Sequence, residues 1–310
     1  MSNVFPVWVT LGAILALWKP ETATWFRPNW IPLFLGIIML SMGLTLKLED
    51  FKLLMESPKL AAIGIILQYS IMPIVGWILS NLFNLSPDFA IGLMIVASCP
   101  GGTASNVVCF IAKANVALSV TLTTLSTLTA VFATPLLITF LVNIISQNTL
   151  GKKIEVNTLG LLLNTIKIVI LPVAIGLFLK VIFPNIVKKI TPFTPFLAVL
   201  AIVFIVDFIL AVKKEAILQT GGNLIIAIIL LHILGFGIGY IISKYLALSE
   251  KNSRTIAIEI GMQNSGLATE LARNNFPSFS LATVPGAISA LAHCILGSII
   301  AGIFLLFSKK

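Results

Sequence analysis

Apolar residues dominate this chain in long runs, and polar residues are concentrated in the short stretches between them. A helix needs about 20 mostly apolar residues to cross a bilayer, and ten runs come close to that length. Backbone groups in lipid must bond within their own segment, so these runs are expected to be helices; the alternating polarity of barrel strands is absent. The predicted spans are 4–18, 30–46, 60–83, 89–112, 115–145, 157–183, 192–212, 222–246, 253–274 and 281–307.

The composition supports a membrane protein. Hydrophobic residues make up 58% of the 310 residues and charged residues only 10%, whereas a soluble domain carries roughly 25% charged residues. The net charge is +9, but the basic residues form short clusters between apolar runs, a pattern typical of loops that set membrane orientation. We therefore expect an all-α integral membrane protein that contacts the lipid bilayer and does not bind nucleic acid.

Ten spans place both termini on the same side of the membrane. If that side is the cytoplasm, its loops hold 12 of the 20 Lys and Arg residues and the opposite loops hold seven, with Lys167 inside a span. The excess predicts cytoplasmic termini in a cell-membrane protein, which in a bacterium means the inner membrane. Residues 1–3 carry no Lys or Arg and no cleavage site follows Leu17, so the first run is expected to remain as a span.

The two halves of the chain share a pattern. Residues 101–106 are Gly-Gly-Thr-Ala-Ser-Asn, residues 261–266 are Gly-Met-Gln-Asn-Ser-Gly, and in each case an asparagine follows ten residues after the serine. Gln68 and His232 hold matching positions in the preceding spans. Residues 1–150 and 151–310 are therefore expected to be two copies of a five-helix unit. Because five is odd, the copies insert in opposite orientations, which is typical of transporters.

Spans 4 and 9 are expected to be broken. Pro100 removes a backbone donor, and Gly101 and Gly102 weaken the helix further. In span 9, Glu259 is followed by Gly261, two amides and a hydroxyl. Unwound backbone at this depth exposes carbonyl oxygens to a cation, and the half-helices that start near Thr103 and Asn264 present N-terminal ends that attract anions.

A hard cation prefers oxygen ligands. Glu259 is taken as the only carboxylate in the broken helices, and one carboxylate among neutral oxygens suits a monovalent ion. The other candidate oxygens belong to the side chains of Gln68, Ser105, Asn106, Ser119, Thr123 and Gln263 and to the carbonyls of Ile260 and Met262. No Lys or Arg is taken to lie at the middle of a span, so an anion would be neutralised by the half-helix ends, bound cations, His232 or His293.

Four segments together resemble the bile acid:sodium symporter family, most closely the bacterial homologues of the apical sodium-dependent bile acid transporter. They are Cys-Pro-Gly-Gly-Thr-Ala-Ser-Asn at 99–106, Asn-Val-Ala-Leu-Ser-Val at 115–120, Glu-Ile-Gly-Met-Gln-Asn-Ser-Gly-Leu-Ala at 259–268 and Gly-Ile-Ile-Met-Leu-Ser-Met-Gly-Leu-Thr-Leu at 36–46. The resemblance implies a panel domain of spans 1, 2, 6 and 7. It also implies a core domain of spans 3–5 and 8–10, in which the broken helices 4 and 9 cross.

The resemblance also implies two sodium ions and a substrate site between the domains. The first sodium site would use Ser105, Asn106, Ser119, Thr123 and Glu259. The second would use Gln68, Glu259, Ile260, Met262 and Gln263. The substrate would lie near Asn264 and His293, with Thr103 and Ala104 at the start of the first half-helix.

The expected function is sodium-coupled symport of an organic anion by alternating access, in a protein that acts as a monomer. The substrate would be bile acid-like or a small carboxylate such as pantoate. Bacterial relatives often carry His-Asn where this chain has His232-Ile233 and His293-Cys294, which weakens the expectation of a steroid acid. Three alternatives remain: proton coupling through Glu259, a channel, and an intramembrane enzyme. The enzyme has no candidate catalytic residues, and Asp207 is taken as the only plausible second intramembrane acid.

Overall fold

The computed structural model describes residues 5–46, 58–151 and 153–307. Over these ranges every regular element is a helix, and paired extended backbone occurs only as an isolated bridge between Gly101 and Gln263. The α-helices are α1 Phe5–Trp18, α2 Ile31–Thr45, α3 Pro58–Leu82, α4 Pro87–Ala97, α5 Ala104–Ile111, α6 Val116–Leu150, α7 Thr158–Thr165, α8 Leu171–Ile182, α9 Pro184–Ile190, α10 Thr194–Val212, α11 Lys214–Thr220, α12 Gly222–Tyr245, α13 Glu250–Gly261, α14 Ser265–Asn275 and α15 Val284–Phe307. A π-helical turn, Ile166–Ile170, joins α7 to α8, and 3-10 turns cover Pro20–Thr22, Pro28–Trp30 and Thr191–Phe193.

Seven helical segments of the described chain are long and apolar enough to cross a membrane. They are Pro28–Thr45, Pro58–Leu82, Val116–Gln147, Thr158–Ile182, Pro184–Val212, Gly222–Tyr245 and Val284–Leu306. These correspond to predicted spans 2, 3, 5, 6, 7, 8 and 10. Predicted span 1 is short, and spans 4 and 9 are interrupted, so none of these three supplies a continuous helix of the required length.

Both predicted interruptions are present. Helix α4 ends at Ala97 and α5 begins at Ala104, while α13 ends at Gly261 and α14 begins at Ser265. Pro73 and Pro135, by contrast, lie inside α3 and α6 without ending them. A single proline bends a buried helix, whereas a proline followed by two glycines also removes the side chains that would hold the turn in place.

The helices pack in two groups. Helix α2 packs against α8 and α10, and α10 packs against α1. In the second group, α12 packs against α3, α13 and α15, and α6 packs against α3, α4 and α5. Helix α15 also contacts α1 and α10 of the first group. Both interrupted helices therefore lie in the second group.

Candidate functional site

The two interrupted helices meet at their unwound segments, which we call the crossing (residues 98–103 and 262–264). The Gly102 N–H donates to the Met262 carbonyl at 2.8 Å, and the Asn264 N–H donates to the Pro100 carbonyl at 2.8 Å. These bonds satisfy backbone groups that have left their helices and are buried away from water. The two unwound segments are thus hydrogen-bonded directly to each other.

Close approach explains the glycines at the crossing. A Cβ atom at Gly101 would overlap the Glu259 carboxylate, and one at Gly102 would lie 2.7 Å from the Gln263 carbonyl oxygen. A Cβ atom at Gly261 would enter an aromatic ring. Any side chain at these positions would have to displace the carboxylate, backbone atoms or the aromatic ring, respectively.

The Glu259 carboxylate lies beside the crossing and is only 3% exposed. It accepts hydrogen bonds from the hydroxyls of Thr123 at 2.6 Å, Ser105 at 2.7 Å and Ser119 at 3.2 Å. The Ser119 hydroxyl also lies 2.8 Å from Asn106 Oδ1. Ser119 and Thr123 are one turn apart on α6, so they share a face. The structure therefore brings together all five residues predicted for the first sodium site.

The Glu259 carboxylate has no basic partner within the described residues. A buried carboxylate without a countercharge is strongly unfavourable. Each hydroxyl that donates to it keeps lone pairs for a cation. Clusters of three or more His, Cys, Asp and Glu are also absent from the described part of the chain. One carboxylate surrounded by neutral oxygens fits a hard monovalent cation such as sodium.

The residues predicted for the second sodium site also lie against the crossing. Gln68 Nε2 donates to Gln263 Oε1 at 3.1 Å, and Gln263 Nε2 donates to the Ile260 carbonyl at 2.9 Å. Gln68 Oε1 is buried and has no donor within the described residues. Such an oxygen is one that a cation could satisfy. The Met262 carbonyl already accepts the Gly102 N–H at the crossing. The hydrogen bonds of the Glu259 carboxylate come from residues of the first predicted sodium site.

The predicted substrate residues fall into two pairs. Asn264 Oδ1 caps α14 by accepting a backbone N–H of that helix. The next residue, Ser265, places its Oγ 3.5 Å from His293 Nδ1, so Asn264 and His293 are neighbours. Thr103 and Ala104 are half-buried at the start of α5. No hydrogen bond within the described residues links that second pair to His293.

The structure corrects the expectation that Glu259 is the only carboxylate of the broken helices. Glu270 lies in α14 with a side chain that is 0% exposed. It accepts from Arg273 at 2.9 and 2.7 Å and from Asn274 Nδ2 at 2.6 Å. Asp207, which had been taken as the only second intramembrane acid, is half-buried in α10, and its Oδ1 has no partner within the described residues. An arginine three residues after Glu270 was the signal for this ion pair.

The expectation about mid-span basic residues also needs correction. Lys167 lies in the π-helical turn, and the turn itself interrupts the candidate span Thr158–Ile182. Its side chain is exposed. A lysine therefore does occupy the middle of this span. Turns of this kind are frequent at functional sites, and an apolar run gives no sign of them.

Membrane transporters bind ions and solutes at interrupted transmembrane helices. Here two interrupted helices are joined through their backbones beside a buried acid. The comparison with known families gives the specific assignment. Residues 32–220 match the Sodium Bile acid symporter family, and the chain belongs to this family. The resemblance drawn from the four sequence segments is confirmed.

Two relatives illustrate how much of the chain the similarity covers. The probable sodium/metabolite cotransporter BASS1, chloroplastic, of Arabidopsis thaliana is 44% identical over 98% of this chain and 74% of its own length. The uncharacterized sodium-dependent transporter YocS of Bacillus subtilis (strain 168) is 40% identical over 97% of this chain and 90% of its own. Both are named as transporters, so the expectation that the protein is not an enzyme is confirmed, as is its place among sodium-dependent membrane transporters.

A solved structure with a similar fold belongs to another kind of transporter. The sodium proton antiporter MjNhaP1 of Methanocaldococcus jannaschii has a TM-score of 0.59 and covers 97% of this chain and 91% of its own. The two sequences are only 16% identical. The likeness therefore establishes a shared membrane-transporter fold and nothing about coupling.

Proposed function

We propose that the protein is a secondary active transporter that couples sodium entry to the symport of a small organic anion by alternating access. One observation carries the proposal. Glu259 is buried beside the crossing, bonded by three hydroxyls, with no basic partner within the described residues. A bound sodium ion would supply the missing positive charge.

Two sodium sites are proposed, both against the crossing. The first comprises Ser105, Asn106, Ser119, Thr123 and Glu259. The second comprises Gln68, Glu259, Ile260, Met262 and Gln263, so the two sites share the Glu259 carboxylate. The unsatisfied Gln68 Oε1 supports the second site. Sodium would contribute charge alone, and these residues would provide the oxygen shell that replaces its water.

The proposed substrate is an organic anion, either bile acid-like or a small carboxylate such as pantoate. The N-terminal ends of α5 and α14 start at Ala104 and Ser265 and favour negative charge. Asn264 and His293 lie beside the second of these ends, with Thr103 at the first. The name of the Arabidopsis thaliana relative refers to metabolites, which agrees with a small molecule. The two departures from the bacterial pattern are an exposed Ile233 and a buried Cys294. Both stand where bacterial relatives often carry asparagine, which makes a steroid acid the less favoured substrate.

The proposed architecture has ten spans in two inverted repeats, residues 1–150 and 151–310. The panel domain would contain α1, α2, α7–α8 and α10, and the core domain α3–α6 and α12–α15, in agreement with the two packing groups. We further propose a monomer in the cell membrane with both termini in the cytoplasm. Residues 1–4, 47–57, 152 and 308–310, which enter the predicted topology, lie outside the described residues.

A contact between the proposed domains indicates how access could alternate. Asn164 Nδ2 on α7 donates to Asn275 Oδ1 at the end of α14 at 3.0 Å. In the proposed topology this bond lies on the outer side of the membrane, so it closes that side and would have to break in the outward-open state. A cysteine pair at these two positions should crosslink and stop transport, and reduction should restore it.

The test of the proposed function is uptake into proteoliposomes with the sodium and proton gradients imposed separately. Cholate and pantoate serve as labelled probes. The proposal predicts accumulation above equilibrium driven by sodium at constant pH. Accumulation driven by the pH gradient without sodium would instead establish proton coupling through Glu259, and equilibration without accumulation would establish a channel.

A further inference from the structure

A chain of polar side chains runs through the core domain behind the crossing. His232 on α12 is 0% exposed. Its Nδ1 lies 2.8 Å from the Gly261 carbonyl oxygen, and its Nε2 lies 2.9 Å from Ser289 Oγ. Ser289 Oγ lies 2.8 Å from Ser265 Oγ, and Ser265 Oγ lies 3.5 Å from His293 Nδ1. The chain therefore leads from the Gly261 carbonyl, next to the crossing, to the candidate substrate residue His293.

The partners fix the direction of the hydrogens in this chain. A carbonyl only accepts, so His232 Nδ1 must carry a hydrogen. His232 has no acidic partner within the described residues and is fully buried, which favours the neutral ring, and Nε2 is then an acceptor. The Ser289 hydroxyl must donate to it, the Ser265 hydroxyl must donate to Ser289, and His293 Nδ1 must donate to Ser265.

The chain begins at the Gly261 carbonyl, at the end of a helix and next to the crossing. Gly261 is the last residue of α13, where carbonyls lack a helical partner. The neighbouring carbonyls of Ile260 and Met262 accept from Gln263 Nε2 and from the Gly102 N–H. Because each peptide unit is planar, the His232 bond fixes the orientation of the whole Gly261–Met262 unit. Ordering of the crossing by a cation would therefore move the His232 contact.

The matching position in the first half ends differently. Gln68 Nε2 also bonds to a carbonyl at the break of its own half, that of Cys99, at 3.2 Å. Its other contact is the Gln263 side chain, which belongs to the crossing itself. Within the described residues, only the second half thus extends from the crossing to a histidine at the candidate substrate site.

We infer that His232, Ser289 and Ser265 are positioning residues that transmit the state of the crossing to His293. The inference rests on the proposed function, because it assigns the sodium ions and the substrate to the two ends of the chain. Sodium at the crossing sets the Gly261 peptide, and the hydrogen-bond chain then sets the ring of His293 toward the substrate.

The test uses the fact that the protein contains only two histidines. Protein labelled with 15N-histidine is studied by solid-state NMR in lipid bilayers, where protonated and unprotonated ring nitrogens are well resolved. The expected spectrum has both rings neutral with the hydrogen on Nδ1. Sodium titration at constant ionic strength should shift the signals of both rings.

Ser289→Ala cuts the chain in the middle. It should reduce the sodium-induced shift of His293, whose ring also lies edge to face with the His232 ring at 5.4 Å between centroids, and leave that of His232 in place. The matched control is Ser298→Ala, since Ser298 lies on the same helix and its hydroxyl bonds, within the described residues, only to the Cys294 carbonyl at 2.9 Å. This control should leave both shifts unchanged. If His293 responds to sodium equally in Ser289→Ala, or if His232 carries its hydrogen on Nε2, the inference is overturned.

A binding measurement gives the functional consequence. Coupling between two ligands typically amounts to about 5–150-fold in affinity. The factor by which saturating sodium tightens pantoate binding should fall toward one in Ser289→Ala, while the sodium affinity of this variant without pantoate stays unchanged. An unchanged factor contradicts the inference alone. Failure of sodium to stabilise the wild-type protein would instead contradict the proposed function.

Discussion

Two buried carboxylates, eleven residues apart on the same interrupted helix, have opposite surroundings. Glu270 is bonded by Arg273 and Asn274. Glu259 is bonded by three hydroxyls and lies against the crossing. The first carboxylate is neutralised by its own helix, whereas the second lacks a positive charge from the described residues. Burial alone therefore does not distinguish an ion-binding carboxylate from a structural one. The partners of the buried carboxylate do.

The strongest prediction concerns the charge of Glu259. Glu259→Gln preserves the shape and one acceptor oxygen but removes the charge. A charge pair 4 Å apart is worth about 4 kcal/mol at an effective dielectric constant of about 20, which is roughly a thousandfold in affinity. Sodium-driven accumulation in proteoliposomes should disappear. Wild-type accumulation by a correctly inserted Glu259→Gln protein would remove the distinction between the two acids.

The opposite result is expected at Glu270. Arg273→Met leaves Glu270 buried without its countercharge and should lower the free energy of unfolding by about 3–5 kcal/mol. The double variant Glu270→Gln/Arg273→Met should recover most of this loss. Thermal unfolding measures stability, and sodium titration should give wild-type affinity for both proteins. A parallel loss of sodium affinity in the double variant would show that Glu270 belongs to the ion site.

The hydroxyls around Glu259 should differ in importance. Hydrogen bonds to charged groups are worth about 1.5–3 kcal/mol each. We expect Thr123→Val and Ser105→Ala to weaken sodium binding more than Ser119→Ala, because the corresponding distances are 2.6, 2.7 and 3.2 Å. Sodium-dependent thermal stabilisation ranks the three variants. Equal affinities in all three would mean that the hydroxyls position the carboxylate without contacting the ion.

A smaller effect is expected from a methyl group added to the backbone next to Glu259. A methyl group at Gly101 would press on the Glu259 carboxylate, and overpacking of this kind costs about 1–3 kcal/mol. Gly101→Ala should therefore raise the sodium concentration needed for half-maximal uptake. Gly302→Ala is the matched control, because a Cβ there meets nothing within 4 Å. Equal sodium dependence in both variants would show that the carboxylate has room to move.

Local chemistry allowed much of the site to be predicted from the sequence. Pro100 with two glycines predicted the first interruption, and Glu259 followed by Gly261 predicted the second. The four residues around the Glu259 carboxylate were among the candidate oxygen ligands, and the family resemblance grouped them into one site. The shortness of the first apolar run was visible as well, and the structure leaves it below the length of a continuous span.

What could not be predicted depends on contacts between distant segments. Ser289 lies in an apolar run where a serine usually bonds its own helix, so nothing local linked it to His232. The π-helical turn around Lys167 depends on packing against neighbouring helices. The spacing of Glu270 and Arg273 indicated an ion pair, but such pairs are common on exposed helix faces. Only the structure shows that the Glu270 carboxylate is buried.

The most direct test of the central claim is sodium binding to purified protein by thermal stabilisation, with potassium replacing sodium at constant ionic strength. A ligand that binds the folded state raises its apparent stability, and above Kd the increase grows with the logarithm of the ligand concentration. The account predicts a concentration-dependent rise in melting temperature for wild type and for Glu270→Gln/Arg273→Met, and none for Glu259→Gln. Equal stabilisation of Glu259→Gln and wild type by sodium, or no stabilisation of either, would contradict it.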